Sequence, residues 1–195
     1  MFKAVSLALL LAGAPVIDTP VVDGVEITQA LEHYPVTGNN ARQILDALFA
    51  SAPVASSEGR QSLGHTYTDL AWRYEMASVG EGRCRIEDVS VSLDIRIRLP
   101  EWQPARKPGK RLAEQWQAFI EGLTGHELQH RALALDAASA VRSVLLDLPE
   151  MPCKDARSAT DRATRPIMQR LAADNRAYDA RTQHGRTEGA YWLAR

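Results

Sequence analysis

Two stretches of the chain alternate strictly between apolar and polar residues. Val89, Val91, Leu93, Ile95, Ile97 and Leu99 share one phase, and Ser90, Ser92, Asp94, Arg96 and Arg98 share the other. A period of two is that of a strand with one buried face. Between Thr66 and Met76, Leu70, Trp72, Tyr74 and Met76 oppose Asp69, Arg73 and Glu75, which predicts a neighbouring strand. A first strand is expected over Val25–Tyr34, stopped at Pro35, because proline has no N–H for the ladder. Polar outer faces throughout point to an antiparallel sheet.

After a Pro- and Lys-rich connector, Glu101–Lys110, the period changes. Leu112, Trp116, Phe119, Ile120, Leu123, Leu133, Ala137, Val141, Val144 and Leu148 fall at helical spacing, so one long amphipathic helix runs up to Pro149. Asn39 or Asn40 can cap a shorter helix reaching about Ala50, with Ile44, Leu45, Leu48 and Phe49 inward. Ser51–Gly64 reads as a small-residue loop. A last helix is expected from about Thr164, with Pro166 in its first turn and Ile167, Leu171 and Tyr178 along one side. The fold class is α+β: an antiparallel sheet packed on a long helix, completed by a C-terminal helix.

The chain has 195 residues, 45% hydrophobic and 24% charged, enough to bury one ordinary core and unlike a disordered or multi-span membrane protein. Lys+Arg 23 against Asp+Glu 24 leaves a net charge of -1, so no basic field for a nucleic-acid partner exists. Met1–Ala14 reads as a secretory signal: Lys3 is the positive end, AVSLALLLAGA is the apolar run, and Ala12-Gly13-Ala14 supplies small residues for cleavage. Pro15 disfavours a cut directly before it, which leaves the cleavage point open. The apolar run is too short for a bilayer-spanning helix. A periplasmic or secreted mature domain over residues 15–195, with no stable membrane span, is the expectation. Cys84 and Cys153 fit it as a single bridge closing a loop of about 70 residues in an oxidising compartment. Two thiols without a Cys-x-x-Cys speak against a cysteine-based zinc site.

The long helix contains Gly125-His126-Glu127-Leu128-Gln129-His130, a match to H-E-x-x-H. Histidines four apart project from one side of a helix, so His126 and His130 can converge on one metal ion. Glu127 lies beside them, where its carboxylate can reach a metal-bound water. Zinc suits this set, since it takes imidazole readily and keeps a position for water in catalytic sites. The expected chemistry is attack of that water on a carbonyl with Glu127 as general base. A third ligand is needed. No histidine-containing extension follows the motif, and only Glu150 and Glu188 are glutamates beyond Glu127, with Glu150 in a proline-flanked loop. The terminal segment Tyr178-Asp179-Ala180-Arg181-Thr182-Gln183-His184-Gly185 remains. His184 is the expected third ligand, and Asp179 could ligate directly or orient a ligand histidine.

Other residues are candidates for lesser roles. Tyr178 could donate to a developing oxyanion, or simply pack in the core. His65 could act likewise, and His33 reads as strand surface. Trp72, Trp102 and Trp116 read as core. Arg157, Arg162, Arg165, Arg170, Arg176 and Arg181 read as a solvated helical face.

Several of these segments together resemble a bacterial family of uncharacterised function described as predicted secreted zinc-dependent proteases. They are Trp72-Arg73-Tyr74, Cys84 with the alternating strand after it, Leu99-Pro100-Glu101-Trp102, His126-Glu127-Leu128-Gln129-His130, and Tyr178-Asp179-x-x-Thr182-x-His184-Gly185. Family members often carry glycine where Gln129 stands. The resemblance implies a zincin-like fold and a peptidase activity. The expected function is therefore an exported zinc-dependent metallopeptidase acting on a peptide or protein substrate, such as one of the cell envelope. The alternatives are a non-catalytic zinc-binding envelope protein and a zinc amidase acting on cell-wall peptides.

Overall fold

A computed structural model describes residues 17–52 and 62–193. The expected signal sequence and most of the Ser51–Gly64 loop lie outside the described residues. The elements are β1 (Val25–Thr37), α1 (Ala41–Ser51), β2 (His65–Gly80), β3 (Arg83–Gln103), α2 (Lys110–Leu146), β4 (Met151–Pro152) and α3 (Ala156–Thr182). The architecture is α+β, with a sheet ordered β1-β3-β2 and the short β4 paired to β3.

The central strand is the one with the cleanest alternation. Val91, Leu93, Ile95, Ile97 and Leu99 of β3 are almost wholly buried and meet Phe119, Leu123, Ala134, Ala138, Val141 and Leu145 of α2 in one core. Removing such side chains from water contributes about 1.5–3 kcal/mol each. Trp72, Trp102 and Trp116 pack against this core half-buried, as expected, and Trp192 joins them. Asn40 is the cap of α1, its Oδ1 accepting from the Gln43 N–H at 2.9 Å. On that helix Ile44 and Leu48 are buried, whereas Phe49, expected inward, is 54% exposed. The Arg residues of α3 are exposed, as their spacing implied.

The sheet is mixed, not antiparallel. β2 pairs with β3 antiparallel, but β1 pairs with β3 parallel from Val25↔Val91 to Thr37↔Gln103. Alternation reports which side chains face the core and is silent on the direction of the neighbouring strand. β1 also runs through Pro35 to Thr37 instead of stopping. Among the described residues it is an edge strand, paired on one side, where a residue without an N–H is tolerated.

Helix α3 starts at Ala156, not near Thr164, and Pro166 lies inside it. The carbonyl that Pro166 leaves without its helical partner is that of Arg162, a residue exposed to water. In the early turns Thr164 Oγ1 donates to Thr160 O at 2.9 Å. Cys84 and Cys153 form a disulfide across 69 residues, fastening the start of α3 to β3 where Cys84 pairs with Met151. Ile86, Met151 and Ala156 make a small second core there.

The Cys84→Ala/Cys153→Ala variant should lose about 2–5 kcal/mol of unfolding free energy in urea titrations, the usual cost of releasing a long closed loop. A loss under about 1 kcal/mol would show that the small core, and not the bridge, holds this junction.

Candidate metal centre

The helical pitch of α2 brings His126 and His130 onto one side, and α3 crosses that side with Asn175 and Asp179. The ring nitrogens that face away from the cluster are both committed. His126 Nδ1–H donates to Glu188 Oε2 at 3.1 Å, and His130 Nδ1–H donates to Asn175 Oδ1 at 2.6 Å. Asn175 is oriented by its own Nδ2, which donates to Leu171 O at 2.9 Å, so its oxygen is the atom turned to His130. With both Nδ1 atoms protonated, the neutral imidazoles present their Nε2 lone pairs inward.

Three acceptors then meet. The two Nε2 atoms are 3.3 Å apart, and Asp179 Oδ1 lies 3.2 Å from that of His126 and 3.1 Å from that of His130. Acceptors at such separations need a positive charge between them. A proton bridges two atoms, whereas this triangle has three nearly equal edges. Tetrahedral zinc with bonds of 2.0–2.1 Å requires ligand separations of about 3.3 Å. The three residues are thus a donor set that could hold a divalent cation, and it suits zinc.

Burial alone would raise the Asp179 carboxyl, but the close approach of His126 and His130 holds it far below the usual carboxylate range. Burial disfavours charge on both imidazoles, yet the adjacent Asp179 carboxylate outweighs it and raises their affinity for a proton. Glu127 is 3% exposed, and burial pushes its carboxyl above the ordinary range. Thr66 on β2 opposes this by donating from Oγ1 to Glu127 Oε2 at 2.8 Å.

His126, Glu127, His130 and Asp179 line a cleft of about 470 Å³, together with Thr66 and Thr68 of β2. His65 and His184 also face this cleft. His65 opens β2, its ring against Tyr67 at 4.2 Å; burial, then the nearby His130, lowers its pKa. His184 is 68% exposed and its Nδ1 is 3.8 Å from Asp179 Oδ1, so it sits at the rim, outside the triangle. Tyr178 is buried and stacked on His126, with its hydroxyl donating to Glu188 Oε2 at 2.7 Å.

The chain matches, over residues 31–185, the family described as bacterial protein of unknown function, DUF922. It belongs to that family. No curated protein and no solved structure matches the chain. The DUF922 stretch contains His126, Glu127, His130, Asn175 and Asp179, and it ends before Glu188.

Three residues of this site escape a reading of the sequence by motif. Asn175 stands one turn before Asp179 on α3, so helical spacing from Asp179 is a signal that could have found it. Thr66 begins the predicted strand, but nothing in the alternation points it at Glu127. Glu188 follows a glycine-punctuated turn without periodicity, and its role comes only from tertiary contact.

Asp179→Ala should leave less than about a tenth of a zinc per chain by elemental analysis, as expected for a deleted first ligand. His184→Ala should keep stoichiometric zinc with an affinity within about threefold, since a rim residue contributes no bond. The reverse order of effects would move the third ligand to His184.

Proposed function

We propose that the protein is an exported zinc metallopeptidase, with His126, His130 and Asp179 as ligands and Glu127 as general base. The observation that carries this reading is the triangle of acceptors opening onto a cleft beside a buried carboxylate. A structural zinc site is closed by four protein ligands, whereas three ligands and an open side are the arrangement of catalytic ones. Asp179 takes the ligand role here in preference to His184, because its Oδ1 completes the triangle and His184 does not.

When bound, zinc supplies Lewis-acid polarisation of a carbonyl and acidifies water at its open position. Glu127 takes the proton from the attacking water and delivers it to the departing amine nitrogen. Its raised affinity for a proton, caused by burial, suits a group that must both accept and release one near neutrality. Thr66 keeps the carboxylate from turning away by holding Oε2. Among the described residues the outer side of β2 has no strand partner, and Thr66 and Thr68 border the cleft. An extended peptide added along β2 would be held by main-chain hydrogen bonds, with its scissile bond over the acceptor triangle. His65 and His184 line the same cleft. Export is supported by the signal-like N-terminus and by the disulfide, which persists in oxidising compartments.

Glu127→Gln should retain zinc while peptide hydrolysis falls by at least about 100-fold, the usual contribution of a general base. Assays on mixed unstructured polypeptides and on cell-wall peptides separate the peptidase from the amidase. A zinc-loaded wild type that cleaves neither would overturn the enzymatic reading and leave a metal-dependent binding protein.

A further inference from the structure

We infer that the turn after α3 is a clasp for the metal centre, acting through Glu188 as a positioning residue that holds His126 in the tautomer with its Nε2 lone pair turned inward. The inference rests on the metal centre proposed above and adds a residue from beyond the stretch that the family matches.

Glu188 Oε2 receives two hydrogen bonds, from His126 Nδ1–H at 3.1 Å and from the Tyr178 hydroxyl at 2.7 Å. The hydroxyl fixes the carboxylate, and the carboxylate fixes which nitrogen of His126 keeps the proton. Tyr178 also lies flat on the His126 ring, 4.9 Å between centroids with planes 19° apart, so the ring cannot turn about its bond. Both tautomer and plane of this ligand are therefore set by Glu188 and Tyr178. A carboxylate partner also makes the imidazole a more basic ligand. His130 has only the neutral Asn175 amide in the same place, and a hydrogen bond to a charged acceptor is the stronger of the two. The two helix histidines are thus unequally braced, and His126 depends on the tail.

The sequence builds the clasp from glycines and an anchor. Gln183 and His184 are left-handed (φ 53° and 55°), and Gly185 at φ 78° completes the reversal out of α3. Glu188 N–H and Ala190 N–H then both donate to Gly185 O, at 2.9 and 3.0 Å, closing the turn over residues 186–189. This turn rests on α2 one turn before His126. A Cβ at Gly122 would lie 2.6 Å from the Gly189 carbonyl carbon and 2.7 Å from Glu188 O, so only glycine admits the approach. Beyond the turn, Trp192 is buried and its Nε1 donates to Ala41 O at 2.8 Å, which ties the tail to the core.

The test is zinc affinity by chelator competition on the full mature chain, paired with imidazole nitrogen NMR of the metal-free protein. Wild type should show His126 as a single Nδ1–H tautomer. Glu188→Ala should weaken zinc binding by about 10- to 100-fold, the usual effect of losing such a partner. It should also mix the His126 tautomers without lowering the melting temperature of the metal-free protein. Glu188→Gln, which keeps an acceptor oxygen, should recover most of the affinity. Tyr178→Phe should fall between wild type and Glu188→Ala. Zinc affinity unchanged in Glu188→Ala, or a wild-type His126 protonated at Nε2, would overturn the clasp while leaving the metal centre standing. A wild type that takes up no zinc would overturn both. Should Glu188→Ala fail to fold, Glu188→Gln and the wild-type tautomer still decide.

Discussion

The pitch of an α-helix sets two imidazoles one turn apart, and in this protein each has its outward nitrogen already bonded. What is left of His126 and His130 is a pair of inward lone pairs, and the Asp179 carboxylate completes a triangle with edges of 3.1 to 3.3 Å. Acceptors turned toward one another repel unless a positive charge lies between them. Such an arrangement persists only because the surrounding fold over-determines it, and it is relieved by a cation. The remainder of the structure can be understood as the means of holding that triangle open to one side.

The means are ordinary packing. β3 carries a wholly buried face, and α2 lies on it with Phe119, Leu123, Ala134 and Val141, which fixes the rotation of the helix and therefore of both histidines. α3 crosses α2 and delivers Asn175 and Asp179 from successive turns. The disulfide at Cys84–Cys153 holds the start of α3 to the sheet, far along the helix from the residues it presents. Glu127 points from the same turn of α2 toward β2, where Thr66 receives it. Sheet, helix pair and tail thus each contribute one bond or one contact to the centre.

Much of this is legible in the sequence alone. The phase of β3, the long helix and the histidine pair follow from periods of 2 and 3.6, which are local properties. The disulfide followed from having two cysteines. What was not legible depends on direction or on contact between distant segments. Alternation in β1 could not tell a parallel from an antiparallel neighbour, and Pro35 was no stop on an edge strand. The early start of α3 was hidden by Pro166, whose lost hydrogen bond falls on a solvated carbonyl. His184 and Asp179 are five residues apart, and only the crossing of α3 over α2 separates the rim residue from the one in the triangle. Glu188 and Thr66 reach the site from elements with no shared period.

The most direct measurement is a crystal structure of the mature chain grown with zinc, with anomalous difference maps collected on both sides of the zinc edge. One strong peak should appear within about 2.0–2.2 Å of His126 Nε2, His130 Nε2 and Asp179 Oδ1, with Glu127 close by but unbonded to it. A peak ligated by His184 in place of Asp179, or no peak between the two helix histidines at saturating zinc, would contradict the metal centre on which the proposed chemistry stands.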